Sequence, residues 1–395
     1  MTSEQPGRGP WPTTSSVPQV WRSASGVDRD AGRSYAASMP ARIAERSPRV
    51  DPGTRTLAHD ATIELARFDA ELGHRVQAFG PLLLRSEAAS SSQIENFTAS
   101  ARSVLSAELG GRGSRNAEQV VANARAMHAA LELADDVSAR SILRMHEVLM
   151  AGQPRHRPGR WREQPVWIGT SSASPFGASF VAPPAEAVPD LIDDCVAFAH
   201  RDDVESLVRS AIAHAQFETI HPFTDGNGRT GRALVQSMLR GSGVTTSVAV
   251  PVSAGLLADV EGYHRALDAY RAGDVHPIIE AFAHAASRAV VNSRGLVTEI
   301  DAARAAWDER LSVRRSSNAW RLLDAFAAAP VLTAAAAAER IGVARPNVYP
   351  PLRALADAGI VRSKHEHELG DSLWRADDIL AALDRFAERS GRRTR

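Results

Sequence analysis

The residues with the most chemistry to offer stand within twelve consecutive positions, His221-Pro222-Phe223-Thr224-Asp225-Gly226-Asn227-Gly228-Arg229-Thr230-Gly231-Arg232. An imidazole at His221 titrates near neutral pH and can take a proton from an attacking nucleophile. The Asp225 carboxylate is a hard oxygen ligand, suited to a Mg²⁺ that shares its shell with substrate phosphates. Gly226 and Gly228 let backbone approach a ligand closely, and the N–H groups opening the next helix form an anion site. Arg229 and Arg232, three positions apart, leave the first helical turn on one side and could clamp successive phosphates. Any one of these residues alone suits an ordinary helix–loop–helix turn with an N-cap aspartate and a surface histidine. Together they describe a phosphate site with a base and a metal ligand beside it.

Two common phosphate motifs share letters with this loop and fail on context. GNGRTG at 226–231 spells GxGxxG, but a dinucleotide fold needs a strand before it and an acidic residue about 20 positions later. Here SLVRSAIAHAQFETI, read as an amphipathic helix, precedes the loop, and nothing acidic lies near position 251. No lysine follows the last glycine, so a Walker loop fails as well.

The elements that must carry the loop are mostly helical. Apolar residues recur at helical spacing from about Thr54 (Leu57, Ile63, Leu65, Phe68, Leu72), then over 82–109, 116–134 and 139–151. Residues 152–185 change texture: two short extended segments flank a Gly/Ser-rich turn, a hairpin by composition, ended by Pro183 and Pro184. Helix resumes over 186–201, 203–219, the stretch after the loop to Leu239, and 256–311. Residues 1–34, rich in Ser, Pro, Gly and Thr, read as mostly disordered, with Trp11 and Trp21 available to tack them onto a surface. Over 318–387 the order is helix, helix, turn at Gly342, helix, then two short strands about Gly370-Asp371, a winged helix-turn-helix layout.

Composition removes several classes of function. The 395 residues suggest about two to three domains. Lys plus Arg equals Asp plus Glu at 46 each, so no global charge favours nucleic acid or a membrane surface. Lys364 is the only lysine, so arginine is a compositional habit and arginine runs are discounted as phosphate signals. The lone Cys195, in an apolar helical run, excludes an intramolecular disulfide and reads as a buried small side chain. His128, His146, His200 and His214 fall in helical stretches without a companion ligand set and read as structural. No run approaches about 18 apolar residues and the N-terminal residues lack a secretory core, so a soluble cytoplasmic protein is the expectation.

The segment 221–232 resembles the HPFxxGNGRxxR motif of the Fic (Fido) family, matching every fixed position. The resemblance covers about residues 35–300 and implies transfer of AMP from ATP, with Mg²⁺, to a Tyr, Thr or Ser hydroxyl of a protein, including the chain itself. It implies a mainly α fold: a Fic helical core with a small β-hairpin flap, plus the C-terminal winged helix. The expected division is 1–34 disordered, 35–112 an N-terminal helical region, 113–311 the catalytic core and 316–395 the winged helix. In it His221 takes the proton of the incoming hydroxyl and Asp225 holds Mg²⁺ between the α- and β-phosphates. Gly226, Asn227, Gly228 and Arg229 cradle phosphates, Arg232 takes the γ-phosphate, and Phe223 anchors the loop. Trp167-Ile168-Gly169 through Phe180-Val181-Ala182-Pro183-Pro184 resembles the family's flap, which covers the nucleotide and receives the target by strand addition. Tyr263, followed by His264 where many relatives have a second tyrosine, is the expected adenine contact.

Ser91-Ser92-Gln93-Ile94-Glu95-Asn96 fits the inhibitory pattern [S/T]xxxE[G/N] of relatives with an N-terminal inhibitory helix. The resemblance implies a salt bridge from Glu95 to Arg232 that occupies the γ-phosphate position, with Ser91 and Asn96 completing the motif. The rival from another class is a DNA-binding regulator whose Fic core senses nucleotide. A third reading keeps the enzyme and changes the chemistry, to removal of AMP or transfer of another group. Residues 316–395 hold twelve basic and ten acidic side chains, thin support for DNA, so protein interaction and homodimerisation stay open for that region.

Overall fold

The computed structural model describes residues 11–22, 30–111, 113–169, 173–366 and 371–391. In chain order the elements are β1 (Ser15–Val20), β2 (Ser34–Met39), α1 (Pro52–Leu72), α2 (Val76–Ile94), α3 (Ala101–Glu108), α4 (Arg115–Glu132) and α5 (Ala139–Met150). There follow β3 (Trp167–Ile168), β4 (Phe180–Val181), α6 (Val188–Ala199), α7 (Ser206–Ile220), α8 (Asn227–Gly241), α9 (Val252–Leu257), α10 (Val260–Arg271) and α11 (His276–Arg310). Last come α12 (Ala319–Ala328), β5 (Val331–Thr333), α13 (Ala334–Ile341), α14 (Tyr349–Asp357), β6 (Arg362–Glu366), β7 (Asp371–Arg375) and α15 (Asp377–Arg389). The chain is mainly helical, as its periodicity predicts. It divides into two compact units, Met1–Ile63 with Arg125–Val244 and Asp259–His284, and Glu64–Ala124 with Thr245–Ala258 and Ala285–Arg395.

The first unit is built around α7. The amphipathic reading of that helix gives way, because all residues from Leu207 to Ile220 are buried. A helix buried on every side needs internal partners for its polar groups. Glu205 caps its N-terminus by accepting from Leu207 N (3.3 Å) and Val208 N (3.1 Å). Gln216 donates to the Ala41 carbonyl (2.9 Å) and accepts from the Tyr270 hydroxyl (2.8 Å). Glycine lets α8 approach α7: a Cβ at Gly231 would stand 3.0 Å from Phe217 and 3.1 Å from both Glu218 and His214. Cys195 is buried as expected, and desolvation pushes its thiol up to about 12.

Over 11–22 and 30–34, the described part of the stretch, the expectation of disorder fails. Residues 15–20 form β1, antiparallel to β2 in the register Ser15↔Met39 to Val20↔Ser34. Two tryptophans supply the reason. Trp11 packs on Phe198 and Tyr270 with centroids about 6 Å away, and Trp21 packs edge-on against Trp167 at 5.5 Å. Burying two indoles offsets chain entropy that the Ser/Pro/Gly composition would otherwise leave uncompensated. Residues 1–10 and 23–29 lie outside the described residues.

In the second unit, the single helix expected over 82–109 is two helices, because α2 ends at Glu95 in a Schellman cap. Asn96 adopts φ 65° and donates to the Gln93 carbonyl (2.9 Å), while Phe97 N donates to the Ser92 carbonyl (2.9 Å). Asn, next to Gly, is the residue that tolerates this left-handed position. Asn123 braces the same turn of α2, donating to Ala88 O (2.9 Å) and Ser92 Oγ (3.1 Å). Buried carboxylates tie loops to helices: Asp69 accepts from the backbone N–H groups of Thr246, Ser247 and Val248, and Glu87 from Ser253 N (2.8 Å) and Oγ (2.6 Å). The stretch 256–311 is likewise broken, into α9, α10 and α11; in the first unit, Asp259 caps α10 by accepting from Gly262 N (2.8 Å), and Gly273 turns at φ 92°.

Towards the C-terminus, α12, α13 and α14 with the antiparallel sheet β5-β7-β6 make the expected winged helix-turn-helix. Thr333 caps α13 and Gly342 closes it at φ 66°. Its third helix starts later than expected: Arg345–Val348 form a 3₁₀ turn before α14. Residues 367–370, including Gly370 of the expected turn, lie outside the described residues. Among the described residues no helix is long and apolar enough to cross a membrane.

Candidate active site at the loop between α7 and α8

The loop 221–226 joins two buried helices, and its shape comes from its own side chains. His221 ends α7 at φ 50°, ψ 61°, with its N–H on the Phe217 carbonyl (2.9 Å). Non-glycine residues rarely adopt this region, and those that do concentrate at functional sites. Asn227 folds back on the loop: its amide Oδ1 accepts from Phe223 N and its Nδ2 donates to Phe223 O, both 2.9 Å. The Asn227 side chain, only 2 % exposed, therefore shapes the turn. What it can still offer a phosphate is its backbone N–H at the start of α8. Gly226 caps that helix at φ 80° without a side chain, leaving the first-turn N–H groups to a ligand.

The imidazole of His221 is 22 % exposed, with Nδ1 3.4 Å from the Glu218 carbonyl and 3.9 Å from Glu218 Oε2. An Nδ1–H donated to that carbonyl leaves the Nε2 lone pair as the basic site. Asp225 is 40 % exposed, and its Oδ1 accepts from Gly226 N (2.6 Å) and stands 3.6 Å from Arg229. His156, between α5 and β3, approaches Asp225 Oδ2 to 3.6 Å and places Nδ1 3.3 Å from Thr224 Oγ1. No group of three or more His, Cys, Asp or Glu is arranged to hold a metal among the described residues. A half-exposed lone carboxylate beside a phosphate loop fits Mg²⁺, which keeps several waters and takes its remaining ligands from substrate. Arg229 and Arg232 are 1 % and 2 % exposed, so the charge they bring is held within the fold.

Expected site residues divide by placement. His221, Asp225, Gly226, Asn227, Gly228, Arg229 and Arg232 share the loop and the first turns of α8. Ile168 and Gly169 stand on the flap, where β3 and β4 pair as Trp167↔Val181 and Ile168↔Phe180 and Ile168 is 46 % exposed. Backbone contact requires glycine at 169, since a Cβ would come within 2.9 Å of Ala178 Cα. Tyr263 departs from its expected role at adenine. It is 3 % exposed, and its hydroxyl is bonded to His214 Nε2 at 2.6 Å inside the core. Burial first, then the Arg232 charge, pulls His214 down to about 3, so it is neutral. Its neighbour His264 is exposed. Glu95, Ser91 and Asn96 belong to the second unit, with Ser91 buried and Glu95 at the C-cap of α2.

Three residues of the site carry no distinguishing mark in the sequence. His146 and His156 hold the Thr224–Asp225 stretch from α5 and the turn after it. Arg162 is 3 % exposed and donates to the carbonyls of His221, Pro183 and Gln164. In a chain with almost no lysine, one more arginine is not a signal; its place between Gly159 and the flap is the feature that could have singled it out.

Residues 136–239 match the model of the Fic/DOC family, residues 55–132 that of the Fic/DOC family N-terminal region, and residues 316–364 a helix-turn-helix domain. Protein adenylyltransferase fic-1 of Caenorhabditis elegans is 29 % identical over 145 residues, covering 37 % of this chain and 26 % of that protein. A probable protein adenylyltransferase of Aquifex aeolicus is 44 % identical over 70 residues, covering 18 % and 22 %. The chain thus spans about a quarter of the length of these relatives. The crystal structure of a Fic family protein from Desulfovibrio desulfuricans G20 aligns with TM-score 0.51 at 24 % identity, over 83 % of this chain and 97 % of that one, a likeness of fold. The segments 55–132 and 136–239 thus match the two Fic/DOC regions in family order, with a helix-turn-helix domain after them.

Proposed function

We propose that this protein is an adenylyltransferase that moves AMP from ATP to a Tyr, Thr or Ser hydroxyl of a protein, its own chain included. The observation that carries the reading is the left-handed His221 at the end of α7, which faces the same short loop as Asp225 and the buried arginines opening α8. The hydroxyl oxygen attacks the α-phosphorus, the bond to the β-phosphate breaks, pyrophosphate leaves, and His221 Nε2 takes the hydroxyl proton. The N–H groups of the first turn of α8 and the charges of Arg229 and Arg232 hold the phosphates in line for that attack. Asp225 would hold Mg²⁺, which when bound neutralises phosphate charge. The β3–β4 flap, with Ile168 and Gly169 on its edge, is where an extended target segment would add as a strand.

The same reading makes the Ser91–Asn96 motif a brake: Glu95 pairs with Arg232 and takes the place of the γ-phosphate. Its support is the motif together with the Schellman cap, which fixes Glu95 as the C-cap residue just after α2. Incubation with ATP labelled at the α-phosphate tests the activity. Label should enter protein with the parent chain and fail to do so with His221→Ala; equal labelling by both sinks the assignment.

A second reading concerns the helix-turn-helix domain matched over 316–364. DNA binding through α14 and the β6–β7 wing would make the protein a regulator as well. A gel-shift series at several salt concentrations tests it, since phosphate contacts weaken steeply with salt.

A further inference from the structure

We infer that Arg162 is a positioning residue that fixes the general base and the base of the flap in one geometry. This rests on the reading of His221 as the base of AMP transfer. The last carbonyls of a helix have no partner within it, and a cation there also suits the helix dipole. At the end of α7 those carbonyls are taken by Arg162. Its Nε donates to His221 O (2.8 Å), one terminal nitrogen to Ile220 O (3.4 Å), and its backbone N–H to Pro222 O (2.9 Å). The peptide planes on both sides of the left-handed His221 are therefore set by one residue, and with them the direction of the imidazole.

The guanidinium also reaches the flap from both ends. It donates to Gln164 O (3.2 Å), ahead of β3, and to Pro183 O (2.6 Å), just after β4. The Ala182 N–H on the Val166 carbonyl (3.0 Å) closes the same end of the hairpin. A lysine offers three donors from a single atom and cannot span acceptors on two elements, whereas the planar fork can. Burial draws Arg162 down to about 10, and the Tyr35 hydroxyl and Glu186 are the groups that pull the other way; it stays charged at neutral pH.

The test uses the full chain as parent, Arg162→Lys and Arg162→Ala, read by hydrogen exchange and by AMP transfer. Arg162→Lys keeps the charge and most of the volume, so it serves where Arg162→Ala does not fold. The inference expects amide exchange over 164–168, 179–184 and 219–223 to rise about tenfold or more, with 319–341 at the parental rate. It also expects kcat to fall by about 10-fold or more while KM for ATP stays within about threefold, and added guanidinium ion to restore part of the kcat of Arg162→Ala. Parental exchange at the flap and at 219–223 overturns the inference, as does a uniform rise throughout the chain or a loss carried by KM alone. A parent chain that transfers no AMP removes the functional reading, while the exchange result still decides the role of Arg162.

Discussion

The imidazole of His146 lies flat on the ring of Phe223, with centroids 3.6 Å apart and planes 5° apart. Both ring nitrogens are engaged: Nδ1 accepts from Gly159 N (3.1 Å), so Nε2 carries the proton and donates to the Asp225 carbonyl (3.2 Å). Trp161 also stacks on Phe223, at 5.1 Å. The loop is thus supported by a neutral stack in which His146 and Phe223 are fully buried.

Removing that support should be costly. His146→Ala deletes the stack and both hydrogen bonds and should destabilise by about 2–4 kcal/mol. His146→Phe keeps the stack but orphans Gly159 N–H and the Asp225 carbonyl, for about 1–3 kcal/mol. Urea unfolding measures both; values within about 0.5 kcal/mol of the parent contradict the role assigned to the pair.

Acid should destabilise the first unit through its buried histidines. Burial lowers His146 to about 4 and His214 to about 3, against the ordinary 6.5 of an imidazole. Between pH 6.5 and those values the unfolded chain binds protons that the folded chain does not, so stability falls as pH drops through this window. Each histidine should remove about 2 kcal/mol between pH 7 and 5. Denaturant titrations at the two pH values should show a smaller acid loss in His214→Gln, and an equal loss in both proteins counts against the buried-neutral assignment.

Gly226 is needed for conformation and space together. At φ 80° an L side chain costs about 1–2 kcal/mol, and a Cβ would press on Leu149 Cδ2 at 3.1 Å and Met150 Sδ at 3.2 Å. Gly226→Ala should therefore lower stability by more than about 1 kcal/mol and reduce ATP affinity by moving the start of α8. Unchanged thermal unfolding and unchanged ATP binding would show that the loop tolerates the side chain.

Much of this was legible in the residue pattern, and the misses share causes. Helical periodicity placed α1, α4 and α5 to within a few residues, because those helices present one apolar stripe. The ends of α2 and α10 were not visible, because they depend on capping by Asn96 and Asp259 and not on a break in periodicity. β1 was missed because its stability comes from Trp11 and Trp21 burying against distant residues. At the site, the loop 221–232 could be read as chemistry because its residue types are unusual together. Tyr263 could not be read, because whether a tyrosine faces a ligand or a core histidine is decided by packing. Arg162 acts through backbone carbonyls, and His146 through backbone groups and a ring stack, which leave no trace in side-chain patterns.

The brake proposed for Glu95 makes a signed prediction. Glu95→Gly should raise AMP transfer and self-modification, and the gain should vanish when Arg232→Ala is added. Asn96→Gly preserves the left-handed cap and should leave stability near the parent, whereas Asn96→Val should cost about 1–2 kcal/mol. Transfer assays on purified variants decide the first part; equal rates for parent and Glu95→Gly remove the brake.

Asp225 offers a separate check on the metal. Asp225→Asn keeps the shape and the Gly226 contact but loses the anionic ligand, so the Mg²⁺ concentration for half-maximal transfer should rise by about tenfold or more. An unchanged Mg²⁺ dependence in the variant would place the metal elsewhere.

The most direct measurement is the intact mass of the chain after incubation with ATP and Mg²⁺, taken on the parent, Glu95→Gly and His221→Ala. The account predicts added mass equal to an adenylyl group on a hydroxyl side chain of Glu95→Gly, slower addition to the parent, and a rate about 10²–10⁴-fold lower when His221→Ala is placed in the Glu95→Gly chain. The same adduct forming at the same rate without His221, or none forming on Glu95→Gly, would contradict it.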